Sequence, residues 1–248
     1  MAKKTVDKLI KNCTFDADTL LTKKRTIIPL SPELDKICGG LMDGTFMMIT
    51  GLQKYGKTAL ALWCATQCQK YGYTVDYHSI EHRLQKRDLN IEGFDPSKFK
   101  IIESTDKDFL SAEDHLLMLD HKARTEKNKL FIVDSFSMMA STELLAKSDY
   151  DDRFRDDLPG KLSQFTKRMC GVLPVNNNIM IGIVHRMANQ SPHGKKWLES
   201  GGLKIQYWYD TKMVAVGCTA WEDDGVEVGK KILWKCESSC LGPPPQGS

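Results

Sequence analysis

The residues with the most specific chemistry in this 248-residue sequence lie at positions 51–58. They read GLQKYGKT, between a predicted strand (45–50) and a predicted helix (56–71). Glycines at the first and sixth positions let successive backbone N–H groups turn toward one anion, and the helix N-terminus adds its positive end. The pattern predicts a phosphate-binding loop, with a lysine for the β and γ phosphates and a hydroxyl for Mg²⁺. The predicted nucleotide contacts are Gly51, Gln53, Lys54, Tyr55, Gly56, Lys57, Thr58 and Ala59.

Two acids and a histidine follow or end predicted strands further along the chain. Asp134 closes the apolar run 130–134, where a carboxylate beside a phosphate loop can hold Mg²⁺ together with Thr58. Glu81 follows the strand 73–79 and can orient and deprotonate an attacking water, although a solvated loop acid fits the same position. His185 ends the buried run 179–185, where it can sense a terminal phosphate or serve only the fold.

A long polar segment, residues 186–202, has the composition of a nucleic-acid-binding loop. Arg186, Lys195 and Lys196 supply phosphate-seeking charge, and Trp197 offers a ring on which a base can stack. A solvated loop without a ligand would have the same composition.

A second long segment, residues 140–160, carries six acids and is therefore a poor phosphate binder. Any contact with DNA there is expected from Arg153 and Arg155, whose charge suits a phosphate.

Short apolar runs alternate with amphipathic stretches from residue 26 onward. Buried strands separated by helices predict an α/β fold with a mostly parallel sheet and helices on both faces. The last two strands follow each other directly, so the sheet should end in an antiparallel edge. The predicted strands are 45–50, 73–79, 100–104, 130–134, 179–185, 211–216 and 230–236, and the predicted helices are 56–71, 112–125 and 161–172.

The ends of the chain differ from this core in composition. Residues 1–25 hold seven Lys/Arg against three Asp, with Val6, Leu9 and Ile10 at helical spacing. We interpret them as a helix and linker that dock on another molecule and serve oligomerisation, although a solvated arm fits as well. The core then spans 26–242, and the proline-rich residues 243–248 form a flexible tail.

The overall composition fits a globular protein with reduced thiols. Hydrophobic residues make up 41% and charged residues 27%, which excludes wholesale disorder. No apolar run approaches the roughly 18 residues of a membrane span and the start lacks a signal peptide, so a cytoplasmic protein without a membrane partner is expected. The net charge of +3 is too small to indicate a polyanion partner.

The pairs Cys64/Cys68 and Cys236/Cys240 can bind zinc or pack in the core, and packing is favoured because the first pair lies within a predicted helix.

Taken together, these motifs resemble the RecA family of recombinases and its compact, UvsX-like phage branch. The resemblance runs from about residue 25 to residue 244 and includes the stretch IPLSPELDKICGGLMDGTFMMITGLQKYGKTAL. It implies a RecA-like core that uses ATP and Mg²⁺. It also implies that Glu81 and His185 are catalytic, as a base and a γ-phosphate sensor, and that Asp134 is the magnesium-associated acid.

The same resemblance implies a partner and an activity. Residues 140–160 and 186–200 would be two DNA-binding loops, the second closed by Gly201 and Gly202. The chain would bind single-stranded DNA as a head-to-tail filament, hydrolyse ATP, and promote pairing and strand exchange with a homologous duplex. Its location would be the cytoplasm, that of a bacterial host if the protein is phage-encoded.

Two departures from the family pattern leave other functions open. Family members place two basic residues in the last strand to reach a neighbour's ATP, but the matching positions here are Ser238 and Cys240, with only Lys235 nearby. Where the family often stacks an aromatic ring on adenine, this chain has Asp88, beside Arg87. The alternatives are a ring-forming motor or clock-type ATPase and a weakly hydrolysing, ATP-switched regulatory paralogue.

Overall fold

The computed structural model describes residues 5–148, 156–189, 197–199 and 208–242. Two short helices come first, α1 (Val6–Cys13) and α2 (Ala17–Thr22), and none of their residues is buried against the rest of the described chain. The predicted N-terminal helix is therefore confirmed, whereas its role in oligomerisation stays a prediction.

The centre of the fold is a mostly parallel sheet. Its strands are β3 (Phe46–Gly51), β4 (Thr74–Ser79), β5 (Phe99–Ile102), β6 (Lys129–Asp134), β7 (Ile179–Ala188), β8 (Trp197–Glu199), β9 (Thr211–Asp223) and β10 (Val226–Ser238), while β1 (Ile27–Ile28) and β2 (Leu41–Met42) pair separately. Among the described residues the order is β10-β9-β3-β7-β6-β4-β5, with β8 added to β7. The strands from β9 to β5 run parallel, but β10 is antiparallel to β9 and β8 is antiparallel to β7. The predicted α/β class with an antiparallel edge is confirmed.

Helices cover both faces of this sheet. They are α3 (Pro32–Cys38), α4 (Lys57–Lys70), α5 (Ala112–Thr125), α6 (Thr142–Ala146) and α7 (Leu158–Val172), with 3₁₀ turns at 86–89, 96–98 and 136–138. α7 begins three residues before the predicted helix because its first turn tolerates a proline, which has no N–H to leave unpaired. α3 and α4 lie on one face, and α5 and α7 lie on the other.

Successive residues of each inner strand enter opposite halves of the core. Met47 and Ile49 pack with α4, whereas Phe46 and Met48 pack with α5 and α7. All six residues of β3 and of β6 are buried, which explains why their central residues, 46–49 and 130–133, are continuous apolar runs in the sequence.

The two cysteine pairs differ in burial. Cys64 and Cys68 are fully buried within α4, as the packing interpretation predicted, and Cys236 is also buried, whereas Cys240 is exposed. Within the described ranges, three or more acidic, histidine or cysteine side chains nowhere converge as a metal site would require.

The two segments predicted to be long loops are partly regular. Residues 142–146 form α6, and β7 continues through Arg186 to Ala188, where it pairs with β8. Residues 186–188 and 197–199 are therefore strands within the predicted loop, because pairing satisfies their backbone hydrogen-bonding groups, and the role of 186–200 in DNA binding stays a prediction. Several predicted DNA-contacting residues lie outside the described residues, as does the tail 243–248: Arg153, Arg155, Lys195, Lys196, Gly201 and Gly202.

The helices of the described ranges are too short or too polar to cross a membrane.

Candidate nucleotide-binding site

A cavity of about 570 Å³ opens at the carboxyl ends of the parallel strands. Register places Gly51 of β3 beside His185 of β7, and Ser79 of β4 beside Asp134 of β6. The strand order therefore brings the carboxyl ends of β3, β4, β6 and β7 to one edge of the sheet, where open α/β sheets bind their ligands. The lining includes Gln53, Lys54, Tyr55, Gly56, Lys57, Thr58, Ala59, Glu81, Asp134 and His185.

The phosphate-loop geometry follows from its two glycines. Gly56 caps α4 with φ +68°, a left-handed conformation that favours glycine. A Cβ on Gly51 would lie 2.8 Å from the Cβ of Ala215 on β9, so a larger residue would push these strands apart. The loop therefore ends at the N-terminus of a 14-residue helix, whose first N–H groups can bind phosphate oxygens.

Lys57 is held inside the cavity rather than in solvent. Its Nζ donates to the carbonyl oxygen of Leu52 at 2.7 Å, and the residue is 6% exposed. Burial lowers the pKa of Lys57, while Asp134 and Glu81 act in the opposite direction. A buried ammonium with few anionic neighbours gains most from a phosphate, so this side chain fits the predicted role.

The side chains of Thr58 and Asp134 are in contact. Thr58 Oγ1 donates to Asp134 Oδ2 at 2.7 Å, and the hydroxyl of Tyr77 donates to the same oxygen at 2.6 Å. Burial raises the pKa of Asp134, whereas these two hydrogen bonds act against the increase. Two hard oxygens beside a phosphate loop fit Mg²⁺, which keeps its remaining positions for water and phosphate.

Sequence reasoning missed Tyr77, although a signal existed. Side chains two apart on a strand share a face, so Tyr77 had to lie on the same side of β4 as Ser79, which also lines the cavity. Its pairing with Asp134 depends on the β4–β6 register and could not be read from the sequence.

Glu81 and His185 are in contact. His185 Nε2 lies 3.0 Å from Glu81 Oε1, which also accepts a hydrogen bond from Ser135 Oγ at 2.8 Å. The Glu81 side chain is only 10% exposed, which excludes the solvated loop acid. The hydrogen bond from His185 is the main cause that lowers the pKa of Glu81. Glu81 and His185 therefore line the cavity together and contact each other. Their catalytic roles stay predictions.

Arg87 and Asp88 also line the cavity. Asp88 Oδ2 accepts a hydrogen bond from the backbone N–H of Gln85 at 2.8 Å, within the 3₁₀ turn 86–89. Asp88, at the position where the family resemblance implies an aromatic ring stacked on adenine, thus faces the cavity. Contact of Asp88 or Arg87 with adenine stays a prediction.

The predicted DNA-contacting residues that the structure describes lie on β7 and β8. Arg186 is bound to Glu199 at 3.1 Å and to Glu237 at 3.2 Å, and its side chain is 15% exposed. Lys212 binds the same two glutamates at 2.6 and 3.0 Å. Because its charge is already neutralised, Arg186 is a less favourable phosphate contact than its sequence suggested. Trp197 pairs with Ala188 across the two strands, and its stacking role stays a prediction.

The last strand carries no basic side chain into the cavity of its own chain. Lys235 pairs with Val214 and Ser238 pairs with Lys212, and the described cavity lining includes neither Lys235, Ser238 nor Cys240. Glu237, between them, turns toward Lys212 and Arg186. A role of this strand at a neighbour's nucleotide stays a prediction.

Comparison with known proteins gives distant similarity to bacterial RecA. The chain is 24% identical over 222 residues to Protein RecA of Xanthomonas euvesicatoria pv. vesicatoria (strain 85-10), covering 83% of this chain and 59% of the relative. It is 24% identical over 222 residues to Protein RecA of Xylella fastidiosa (strain M12), and over 212 residues to that of Wolinella succinogenes, covering 83% of this chain and 58% of each relative. No family model matches the chain.

The chain thus spans less than two thirds of the length of the curated relatives that it matches. The fold is an α/β, RecA-like core, with a mostly parallel sheet, helices on both faces and an antiparallel edge. This fold and the distant similarity support membership of the RecA family in general, without showing the phage branch.

Proposed function

We propose that this chain is an ATP-dependent DNA recombinase that assembles head to tail on single-stranded DNA and promotes pairing with a homologous duplex. The observation that carries the proposal is the convergence of the phosphate loop, the Thr58–Asp134 pair and the Glu81–His185 pair in one cavity. Similarity to RecA proteins supports the same general activity. A UvsX-like phage branch and the cytoplasm of a bacterial host belong to this proposal.

The cavity offers each group that ATP hydrolysis requires. Lys57 and the loop N–H groups bind phosphate oxygens, and Thr58 and Asp134 would hold Mg²⁺, which would supply further positive charge to the phosphates. Glu81 orients the water that attacks the terminal phosphorus. Because the pKa of Glu81 is lowered, this carboxylate is a weak base that is better suited to orienting the water than to removing its proton early.

His185 lies on the same strand, β7, as the predicted DNA-contacting residue Arg186. It contacts Glu81 through Nε2, and the next residue, Arg186, lies in the ion network that holds β7, β8, β9 and β10 together. In the proposed function, a change at the terminal phosphate reaches β8 through its pairing with β7.

Electron microscopy of the purified chain with single-stranded DNA tests the proposal. We expect filaments with a non-hydrolysable ATP analogue, and no filaments without nucleotide or in Lys57→Ala. Rings that form without DNA would instead favour the motor or clock-type ATPase. Retained nucleotide affinity in Lys57→Ala, within about twofold of wild type, would refute the phosphate-loop assignment itself.

A second candidate, the ATP-switched regulatory paralogue, has one observation in its favour. Ser238 and Cys240 are uncharged, and Glu237 is committed to partners within its own chain. At these two positions the chain thus offers a neighbour no positive charge for a transition state, and Lys235 is the basic residue near them. Tight ATP binding with negligible turnover on DNA, and no strand exchange, would favour this candidate.

A further inference from the structure

Arg83 is a cation on the cavity wall that the proposed function does not yet use. It lies in the irregular segment after β4 and lines the same cavity as Lys57. Its NH1 lies 3.1 Å from Glu81 Oε2, and its side chain is 65% exposed. Among the described residues, no other partner of its guanidinium is seen, so most of its N–H donors face open space.

The contact with Glu81 fixes the direction of this guanidinium. Glu81 Oε1 is already bound to Ser135 and His185, so the carboxylate itself is anchored and 10% exposed. A guanidinium is planar and has five N–H donors in a fixed fork. Because NH1 of Arg83 contacts this anchored carboxylate, the remaining N–H donors of Arg83 stay near Glu81. In the proposed function, Glu81 orients the water that attacks the terminal phosphate.

The arrangement also leaves room for the water on Glu81. A carboxylate oxygen can accept about two hydrogen bonds. Oε2 has Arg83 as its one described partner, whereas Oε1 has two. Oε2 can therefore hold the attacking water while Arg83 stays in place, which puts the guanidinium next to the phosphorus under attack.

The negative charge of the terminal phosphate favours a second cation in the cavity. A terminal phosphate gains charge-assisted hydrogen bonds from a second cation besides Lys57. Where the family resemblance implies a basic pair, this chain has Ser238, at the end of the last strand, and Cys240, just after it. Of the other cavity-lining cations, Arg87 already has an acidic neighbour, since its Nε lies 3.9 Å from Asp88 Oδ1.

We propose that Arg83 binds the terminal phosphate of the nucleoside triphosphate within its own chain, with its guanidinium oriented by Glu81. This inference rests on the proposed nucleotide site. Arg83 then replaces, in the same chain, positive charge that the last strand of a neighbour would otherwise supply.

The test compares the affinities for a triphosphate and a diphosphate. Fluorescently labelled ADP and a labelled, non-hydrolysable ATP analogue are titrated into wild type, Arg83→Gln, Arg83→Lys and Arg87→Gln. We expect Arg83→Gln to weaken triphosphate binding about tenfold or more and ADP binding less than about twofold, since only the triphosphate loses charge-assisted bonds. Arg83→Lys should retain part of the difference. Arg87→Gln, which removes a cavity-lining cation that is paired with Asp88 instead of Glu81, should leave the ratio of the two affinities unchanged.

The outcomes separate this inference from the proposed function. Arg83 is highly exposed, so its substitution should not disturb folding. An unchanged affinity ratio in Arg83→Gln, with wild-type binding that disappears in Lys57→Ala, would overturn the role of Arg83 alone. Wild type that binds neither nucleotide would overturn the nucleotide site, and the role of Arg83 with it.

Discussion

Acid should destabilise this fold strongly, because two histidines are buried in their neutral form. His78 of β4 and His115 of α5 approach each other with 2.9 Å between their Nδ1 atoms, so one ring donates and the other accepts. They are 0% and 4% exposed. Burial is the main cause that lowers the pKa of His78 to about 3 and that of His115 to about 4, from 6.5.

The sign and size of the effect follow from these values. The folded-state pKa lies below the unfolded-state pKa, so the stabilisation is complete above about pH 7 and is lost as the pH falls through 6.5 toward 4. At pH 5 nearly all unfolded chains carry both protons and few folded chains do. Each histidine then costs about 2 kcal/mol relative to pH 8, or about 4 kcal/mol for the pair. This is a large part of the roughly 5–15 kcal/mol that stabilises an ordinary domain.

Urea unfolding, followed by tryptophan fluorescence at pH 8, 6.5 and 5, measures this loss. We expect His115→Gln to lose about 2 kcal/mol less than wild type between pH 8 and pH 5, since a non-titrating residue replaces one of the pair. The matched control is His121→Gln, an exposed position on the same helix, which should keep the wild-type pH dependence.

Equal pH dependence in wild type and His115→Gln would refute the reasoning. Proton NMR gives an independent reading if this variant folds poorly. In folded wild type, two imidazoles should remain neutral at pH 5, and protonation of both above pH 6 would show that the buried pair accommodates charge.

Three further changes test the site and the predicted DNA contacts. Glu81→Gln should slow phosphate release, because an amide orients water less well; a wild-type rate would show that another group orients the water. Trp197→Ala should weaken single-stranded DNA binding by roughly 1–3 kcal/mol in fluorescence anisotropy if a base stacks on the ring, and unchanged affinity would remove that role. Ser238→Lys with Cys240→Lys should raise the DNA-stimulated ATPase rate, by up to on the order of 10³ for a restored basic finger. A fast wild-type rate that collapses in Lys235→Ala would instead identify Lys235 as the finger.

The local features of the site could be read directly from the sequence. The glycines of residues 51–58 and the apolar run before them define a strand, a turn and a helix, since each depends on residues close in the chain. Asp134 at the end of β6 could be predicted for the same reason. The borders of α5 agree with the prediction, and those of α4 differ by one residue at each end.

The burial of Glu81 could not be predicted. Its position after β4 fits a solvated acid, and its side chain is only 10% exposed because β7 and the end of β6 bring His185 and Ser135 to it. These partners lie more than 50 residues away in the sequence, so no local pattern indicates them.

The ion pairs of Arg186 could not be predicted from the sequence either. The sequence alone determined that a basic residue follows the buried strand 179–185, and that the parallel strands end in polar residues able to bind a nucleotide. Only the tertiary structure decided which of these charges face the cavity and which neutralise each other. β8, β9 and β10 carry Glu199, Lys212 and Glu237 to Arg186, which is therefore part of an internal ion network. Strand order and register set these distances, and a charge is available to a ligand only where the fold leaves it without a nearer partner.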